Sequence, residues 1–367
     1  PSTALGPYTV IAKIGDGGSR SETDAVTQGS PLMLKHCVAT FCTLTIALTL
    51  TSAAAHAQAG DATMPMRTPD GQPDVSGIFT FRTLTPFERP AQFEGVETLS
   101  AEDAAAFEAA ERTRRNRDLF DPEKGALFYR PRSEGGVLSY NEFWYERGVE
   151  LTSDKRTSLI IDPPDGRRPP RTEAALARGR GQGANRREHM YDSYENRSSA
   201  DRCLTGFNAG PPMVSGTYNN NVMIFQTPGY VAILNEMVHN ARIVPLEEAG
   251  THTDGPPFPQ VSGVSRGHWE DETLVIETSQ FAGGSSGLSS TNMHLVERLT
   301  RIDPDTVAYE FTVTDPTVYT APYTAMMPFR RTDGPLFEYA CHEGNYGLYG
   351  ILAGARNLER EGRELRP

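Results

Sequence analysis

From residue 222 onward the chain is a series of short apolar segments separated by turn residues at nearly even spacing, and this constrains the fold more than any other feature. Val222-Met-Ile-Phe-Gln226 and Tyr230-Val-Ala-Ile-Leu234 flank the turn Thr227-Pro-Gly229, and Ala241-Arg-Ile-Val244 follows a Glu-Met-Val-His-Asn connection. Ser265-Arg-Gly-His-Trp269 and Leu274-Val-Ile-Glu-Thr278 make a hairpin around the acidic turn Glu270-Asp-Glu272. His294 to Arg301 and Thr306 to Val313 make a second hairpin around Asp303-Pro-Asp305, and Tyr323 to Arg330 and Phe337 to Cys341 complete the series. Strands of this length joined by Gly, Pro and acidic turns predict an all-β fold, an antiparallel meander closing into a lipocalin-like barrel or a strongly curved sheet. Leu295, Arg298 and Thr300 break strict alternation, so the register of that strand stays open.

Upstream of the strands the text is different. Met33 to Gln58 carries Lys35 and His36, an apolar run from Cys37 to Leu50, and the small-residue tail Ala53-Ala54-Ala55-His56-Ala57. A basic start, a short apolar core and an A-x-A site are what a secretory signal peptide needs, with cleavage expected after Ala57. The apolar core is shorter than the ~20 residues of a membrane span, so no membrane anchor is expected. Residues 1–32 precede that signal and are expected to be a non-native upstream segment. The rest divides into an extended, Pro-rich arm with one helix over 58–135 and an antiparallel β domain over 136–367. The helix has good grammar: Ser100 can cap it, with Asp103 at the third position. Within the β domain, Glu142 to Tyr145 and Thr157 to Ile161 read as strands, the latter ending at the turn Asp162-Pro-Pro-Asp-Gly166.

Composition narrows the partners. A formal net charge of −12 makes the chain a poor general binder of nucleic acid or anionic membranes. In the Arg-rich excursion 167–202, Arg167, Arg168, Arg171, Arg178, Arg180, Arg186 and Arg187 stand among Gly, Ala and Pro with no aromatics interleaved between them. It reads as a solvated excursion with a short helix at 172–178, plausibly a lid, rather than a nucleic-acid site. Cys37 and Cys42 leave with the signal, so Cys203 and Cys341 remain as an even pair in an oxidising compartment and are expected to form a disulfide. Closing so long a loop contributes roughly 4–5 kcal/mol in the chain-entropy model.

Several segments carry resemblances. Leu5 to Gly18 resembles the opening strand and Gly-rich loop of bacterial Ser/Thr protein kinases, but the V-A-I-K, H-R-D and D-F-G elements are missing. Arg156-Thr-Ser-Leu-Ile-Ile-Asp-Pro-Pro-Asp-Gly166, Tyr218-Asn-Asn-Asn221, Glu236-Met-Val-His-Asn-Ala-Arg242, Gly267 to Leu274 and Cys341-His-Glu-Gly-Asn-Tyr346 together resemble a family of secreted bacterial proteins. That resemblance implies export and a shared fold and donates no mechanism. His268 stands where relatives look to have arginine, so it is not counted as chemical. The hairpins over 265–313 look like those of lipocalin and fatty-acid-binding barrels, which is likeness of fold alone.

No HExxH, HxH, paired CxxC, nucleophile elbow or dinucleotide frame is present, so no cofactor is expected. Three polar groups beside apolar strands are the candidate chemistry: His342 and Glu343 with Asn345 and Tyr346, Glu236 with His239, and Tyr218 with Asn219, Asn220 and Asn221. Buried polar groups must be hydrogen-bonded or functional, because leaving them unpaired costs a few kcal/mol each. A Cys203–Cys341 bond would gather two of these groups. The expected site then has His239 or His342 as general base, Glu343 or Glu236 orienting it or acting as acid, and Arg242 with the asparagines stabilising negative charge. A metal, if one binds, would take His239, His342 and Glu343. The competing reading is structural: His342, Glu343 and Asn345 tie down the barrel end while Asn219 to Asn221 satisfy turn backbone. Two functions follow as expectations: a secreted hydrolase or lyase acting on a small organic or sugar-like molecule, or a lipocalin-like binding protein without turnover.

Overall fold

Burial alternates residue by residue along the long strands, and the alternation shows which face of each strand points inward. In a computed structural model, which describes residues 66–116, 142–247, 258–283 and 290–363, the strands are β1 Gly77–Thr80, β2 Ile160–Asp162, β3 Asn221–Thr227, β4 Tyr230–Asn235 and β5 Ala241–Pro245. They continue as β6 Val264–Glu270, β7 Thr273–Ser279, β8 His294–Asp303, β9 Thr306–Thr314 and β10 Tyr323–Arg331. Nine of them lie in the order β5-β4-β3-β1-β10-β9-β8-β7-β6, with every pairing antiparallel, and β2 pairs with β10 off that path. The two ends of the series meet: Leu246, just past β5, bridges Gly267 of β6, and the Glu247 N–H donates to the Gly267 carbonyl at 2.8 Å. The sheet is thus a nearly closed antiparallel barrel. Closure removes the unpaired edges that an open sheet would leave.

The local reasons are the expected ones. Pro228 and Gly229, the latter at φ +78°, make the two-residue turn between β3 and β4. Asp271, at φ +50°, turns β6 into β7. Inward positions carry Val222, Ile224, Val231, Ile233, Leu274, Ile276, Leu295, Leu299, Tyr309, Phe311, Met327 and Phe329, which merge into one apolar cluster. The Tyr309 and Phe329 rings stack with centroids 4.6 Å apart, and Phe81 packs on Phe329 at 5.5 Å. Met213, wholly buried, comes from the segment after Cys203 and fills the interior, its N–H donating to the Tyr309 hydroxyl at 3.1 Å.

Three helices sit outside the barrel among the described residues. α1 (Ala101–Arg115) is capped by Ser100, whose hydroxyl accepts from the Asp103 N–H at 3.1 Å, as its sequence foretells. α2 (Glu173–His189) is capped by Thr172 and runs well past the expected 172–178. α3 (Tyr346–Arg360) is missing from the sequence reading, although Leu348, Ile351, Leu352, Ala355 and Leu358 follow a helical period. Two expected strands do not form. Glu142–Trp144 is a turn of 3₁₀-helix with Phe143 and Trp144 exposed. Phe337 to Cys341 makes no ladder, because its backbone is engaged by side chains: the Phe337 N–H donates to Glu236 and the Tyr339 carbonyl meets His239. The signal-peptide reading, residues 1–32 and residues 117–135 of the arm lie outside the described residues. No helix among those described is long and apolar enough to cross a membrane.

Candidate functional site

The disulfide forms. Cys203 and Cys341 are bonded across 138 residues, with Cα atoms 5.7 Å apart. Cys203 is buried and packs with Ala209, Met237 and Val238, and Tyr218, Tyr339 and Cys341 lie against that cluster. The bond therefore brings together the three polar groups of the sequence, but it does not arrange them as expected. His342 and Glu343 are exposed in the turn beyond Cys341, and among the described residues their side chains make no hydrogen bond or ion pair. Asn345 is a helix cap, accepting from the Leu348 N–H at 3.2 Å and donating to the Asp201 carbonyl at 2.9 Å. Tyr346 opens α3 and is 81% exposed. Among the described residues no three His, Cys, Asp or Glu side chains stand close enough to share a metal ion, so His239, His342 and Glu343 are not a ligand set.

Glu236 and the asparagines do come together. The chain leaves β4 at Asn235 and turns sharply through Glu236-Met-Val-His239, with Val238 at φ +59° and His239 at φ +40°. A β-branched residue in the left-handed region is strained by about 1–3 kcal/mol, and burial of Met237 and Val238 against the disulfide cluster holds it there. Gly206 makes the close approach possible, since a Cβ there would lie 1.9 Å from Met237 Cγ. The turn buries the Glu236 side chain, which accepts from Asn221 Nδ2 at 2.7 Å, from the Phe337 N–H at 3.0 Å and from Asn219. The same Asn221 nitrogen also donates to Glu146 at 3.3 Å, so two carboxylates share one amide. Burial pushes the Glu236 carboxyl above the usual range against the pull of its N–H donors, and the neighbouring Glu146 charge adds to the rise.

On the rim of the same turn, the exposed His239 ring places Nδ1 3.1 Å from the Tyr339 carbonyl. A carbonyl only accepts, so Nδ1 carries the proton and Nε2 is the basic nitrogen. Asn220 is fully buried and structural: its amide donates to the Glu146 and Gly216 carbonyls and accepts from the Gly216 N–H at 2.6 Å. Tyr218 is an aromatic wall, with Phe207 at 5.3 Å, Tyr145 at 6.4 Å and a stacked Tyr339 at 6.5 Å. Asn208 Oδ1 and Asn235 Oδ1 are buried there without a hydrogen-bond partner, leaving acceptor capacity for a polar ligand or water.

Arg242 lies elsewhere. It points into the barrel, where one polar side chain from each of five neighbouring strands forms a sealed layer. Arg242 donates to both oxygens of Glu297, at 2.8 Å from Nη2, and reaches Ser265 and Thr278 at 3.4 Å. The Tyr309 hydroxyl donates to Glu297 at 2.6 Å, and burial beside that carboxylate raises its pKa far above the usual phenol value. Sequence reasoning missed Glu297 and Glu146. Glu297 had a signal: it is the charge between Leu295 and Leu299, which share its inward face in β8. Glu146 had none, since only the fold brings it to Asn221.

No protein-family model and no curated protein matches this chain.

Proposed function

We propose that the protein is an exported hydrolase or lyase that acts on a small sugar-like molecule at the disulfide end of the barrel. The Sec-type signal with cleavage after Ala57 would deliver it to the periplasm or beyond, and the Cys203–Cys341 bond is compatible with that oxidising compartment. One observation carries the reading: Glu236 and His239 sit on a single strained turn, and among the described residues Glu236 has neutral donors and a second carboxylate for neighbours but no cation. A carboxyl whose surroundings favour its protonated form suits a general acid, and an exposed imidazole with Nε2 as its unprotonated nitrogen suits a general base. In hydrolysis His239 Nε2 would take a proton from water as its oxygen attacks, while Glu236 gives its proton to the leaving oxygen. Glu146 and Asn221 position and tune Glu236, and the rings of Phe207, Tyr218 and Tyr339 offer an apolar face to the sugar ring.

Assay against nitrophenyl glycosides and unsaturated-sugar release tests this. Glu236→Gln and His239→Ala are each expected to lower kcat by about 10²–10⁴-fold with the fold retained by circular dichroism. Rates unchanged in both variants would sink the assignment. The aromatic wall also favours a second reading, a binding protein without turnover. Saturable sugar binding quenched in Tyr218→Ala, with no product from any substrate, would select it.

A further inference from the structure

Outside the barrel wall lies a second cavity of about 150 Å³, separate from the Glu236 turn. Its floor is the outer face of the sheet, where Arg330 of β10 pairs with Thr306 of β9, and its wall is the pair of extended segments 82–84 and 150–153. Two guanidinium groups, Arg82 and Arg330, face this one cavity together with the hydroxyl-bearing Thr83, Thr152 and Ser153. Each cation has one acidic neighbour: Arg82 donates to Glu146 at 3.4 Å and Arg330 stands 3.9 Å from Glu150, each side chain close to half exposed. The one acidic lining residue, Asp303, is turned to its own loop, accepting from the Asp305 N–H at 2.8 Å. Two arginines lining one cavity, with the Ser153 hydroxyl beside them, suit a carboxylate or sulfate.

The cavity is also wired to the candidate site. Along the sheet Asn221 pairs with Thr80 and Thr80 with Arg330, so Arg330 lies two strand spacings, about 10 Å, from Asn221. Arg82 bridges the gap, since the Glu146 oxygen it faces is the one that accepts from Asn221. We infer that this cavity is a subsite for the anionic group of an acidic saccharide, a uronic acid, held there while a neighbouring bond reaches Glu236; this rests on the saccharide reading above.

Calorimetric titration of the protein with glucuronate, glucose and inorganic sulfate separates the two claims. Glucuronate is expected to bind about tenfold more tightly than glucose, to weaken with added salt, and to lose about tenfold in Kd in Arg330→Gln and Arg82→Lys. Equal affinity for glucuronate and glucose, affinity unchanged in both variants, or binding of sulfate but not glucuronate would overturn the subsite. Arg330-dependent glucuronate binding with no saccharide cleaved would sink the hydrolytic reading alone. Cleavage of neutral saccharides without glucuronate binding would sink the subsite alone.

Discussion

Two of the carboxylates buried among the described residues, Glu297 and Glu236, have opposite surroundings. Glu297 lies inside the barrel with a guanidinium on both oxygens and the Tyr309 hydroxyl besides, so its charge is answered. Glu236 lies at the disulfide end with amide donors and another carboxylate, so its charge is unanswered and its proton is held more tightly. The first arrangement is closed to further chemistry, because every neighbour is committed. The second holds its proton more tightly, on a turn shared with the exposed His239 whose backbone packing forces into an unfavourable conformation. A buried charge met by a counter-charge reads as structural, and one met only by neutral donors on a strained turn is the better candidate for function.

The largest effect should come from breaking the answered pair. Glu297→Leu leaves Arg242 buried without a counter-charge and should cost about 3–5 kcal/mol by urea unfolding, while Arg242→Met with Glu297→Leu should recover most of it. Full loss persisting in the double variant would show that the layer does more than balance charge. Next comes the disulfide. Cys203→Ala with Cys341→Ala should cost about 2–4 kcal/mol, and because Cys203 packs on Met237 and Val238 it should depress activity further than stability.

The smallest effect is on pH dependence. A carboxyl with a raised folded-state pKa contributes stability that is full below the ordinary glutamate value, about 4.3, and lost as pH rises through the folded value. The protein should therefore lose stability relative to Glu236→Gln as pH rises from about 4 through the folded-state value, read as the change in unfolding midpoint. A relative gain over that window would reverse the sign assigned to Glu236.

How far the sequence could be read follows the range of the interactions involved. The hairpins of β3 to β10 and the Ser100 cap are local, set by alternation and turn residues, and both were legible. The disulfide was legible from count, since Cys203 and Cys341 are the even pair left once the expected signal is set aside. The register of β8 was not, because the inward Glu297 made a regular strand look irregular until Arg242, 55 residues away, was seen to pair with it. The candidate site was half legible. Glu236, His239 and Asn221 belong to one short stretch around β4, whereas Glu146 is joined to them only through tertiary contact. His342 and Glu343 misled because a polar motif beside a cysteine reads as a site, when the bond to Cys203 leaves both pointing into solvent.

Carbon-detected NMR titration of the glutamate side-chain carboxyls, with Glu236 assigned by its absence in Glu236→Gln, goes to the centre of the account. Glu236 should titrate above the ordinary glutamate value and move down in Glu146→Gln, as removal of the second carboxylate lowers its hold on the proton. A Glu236 titration at or below about 4.3, unmoved by Glu146→Gln, would contradict it.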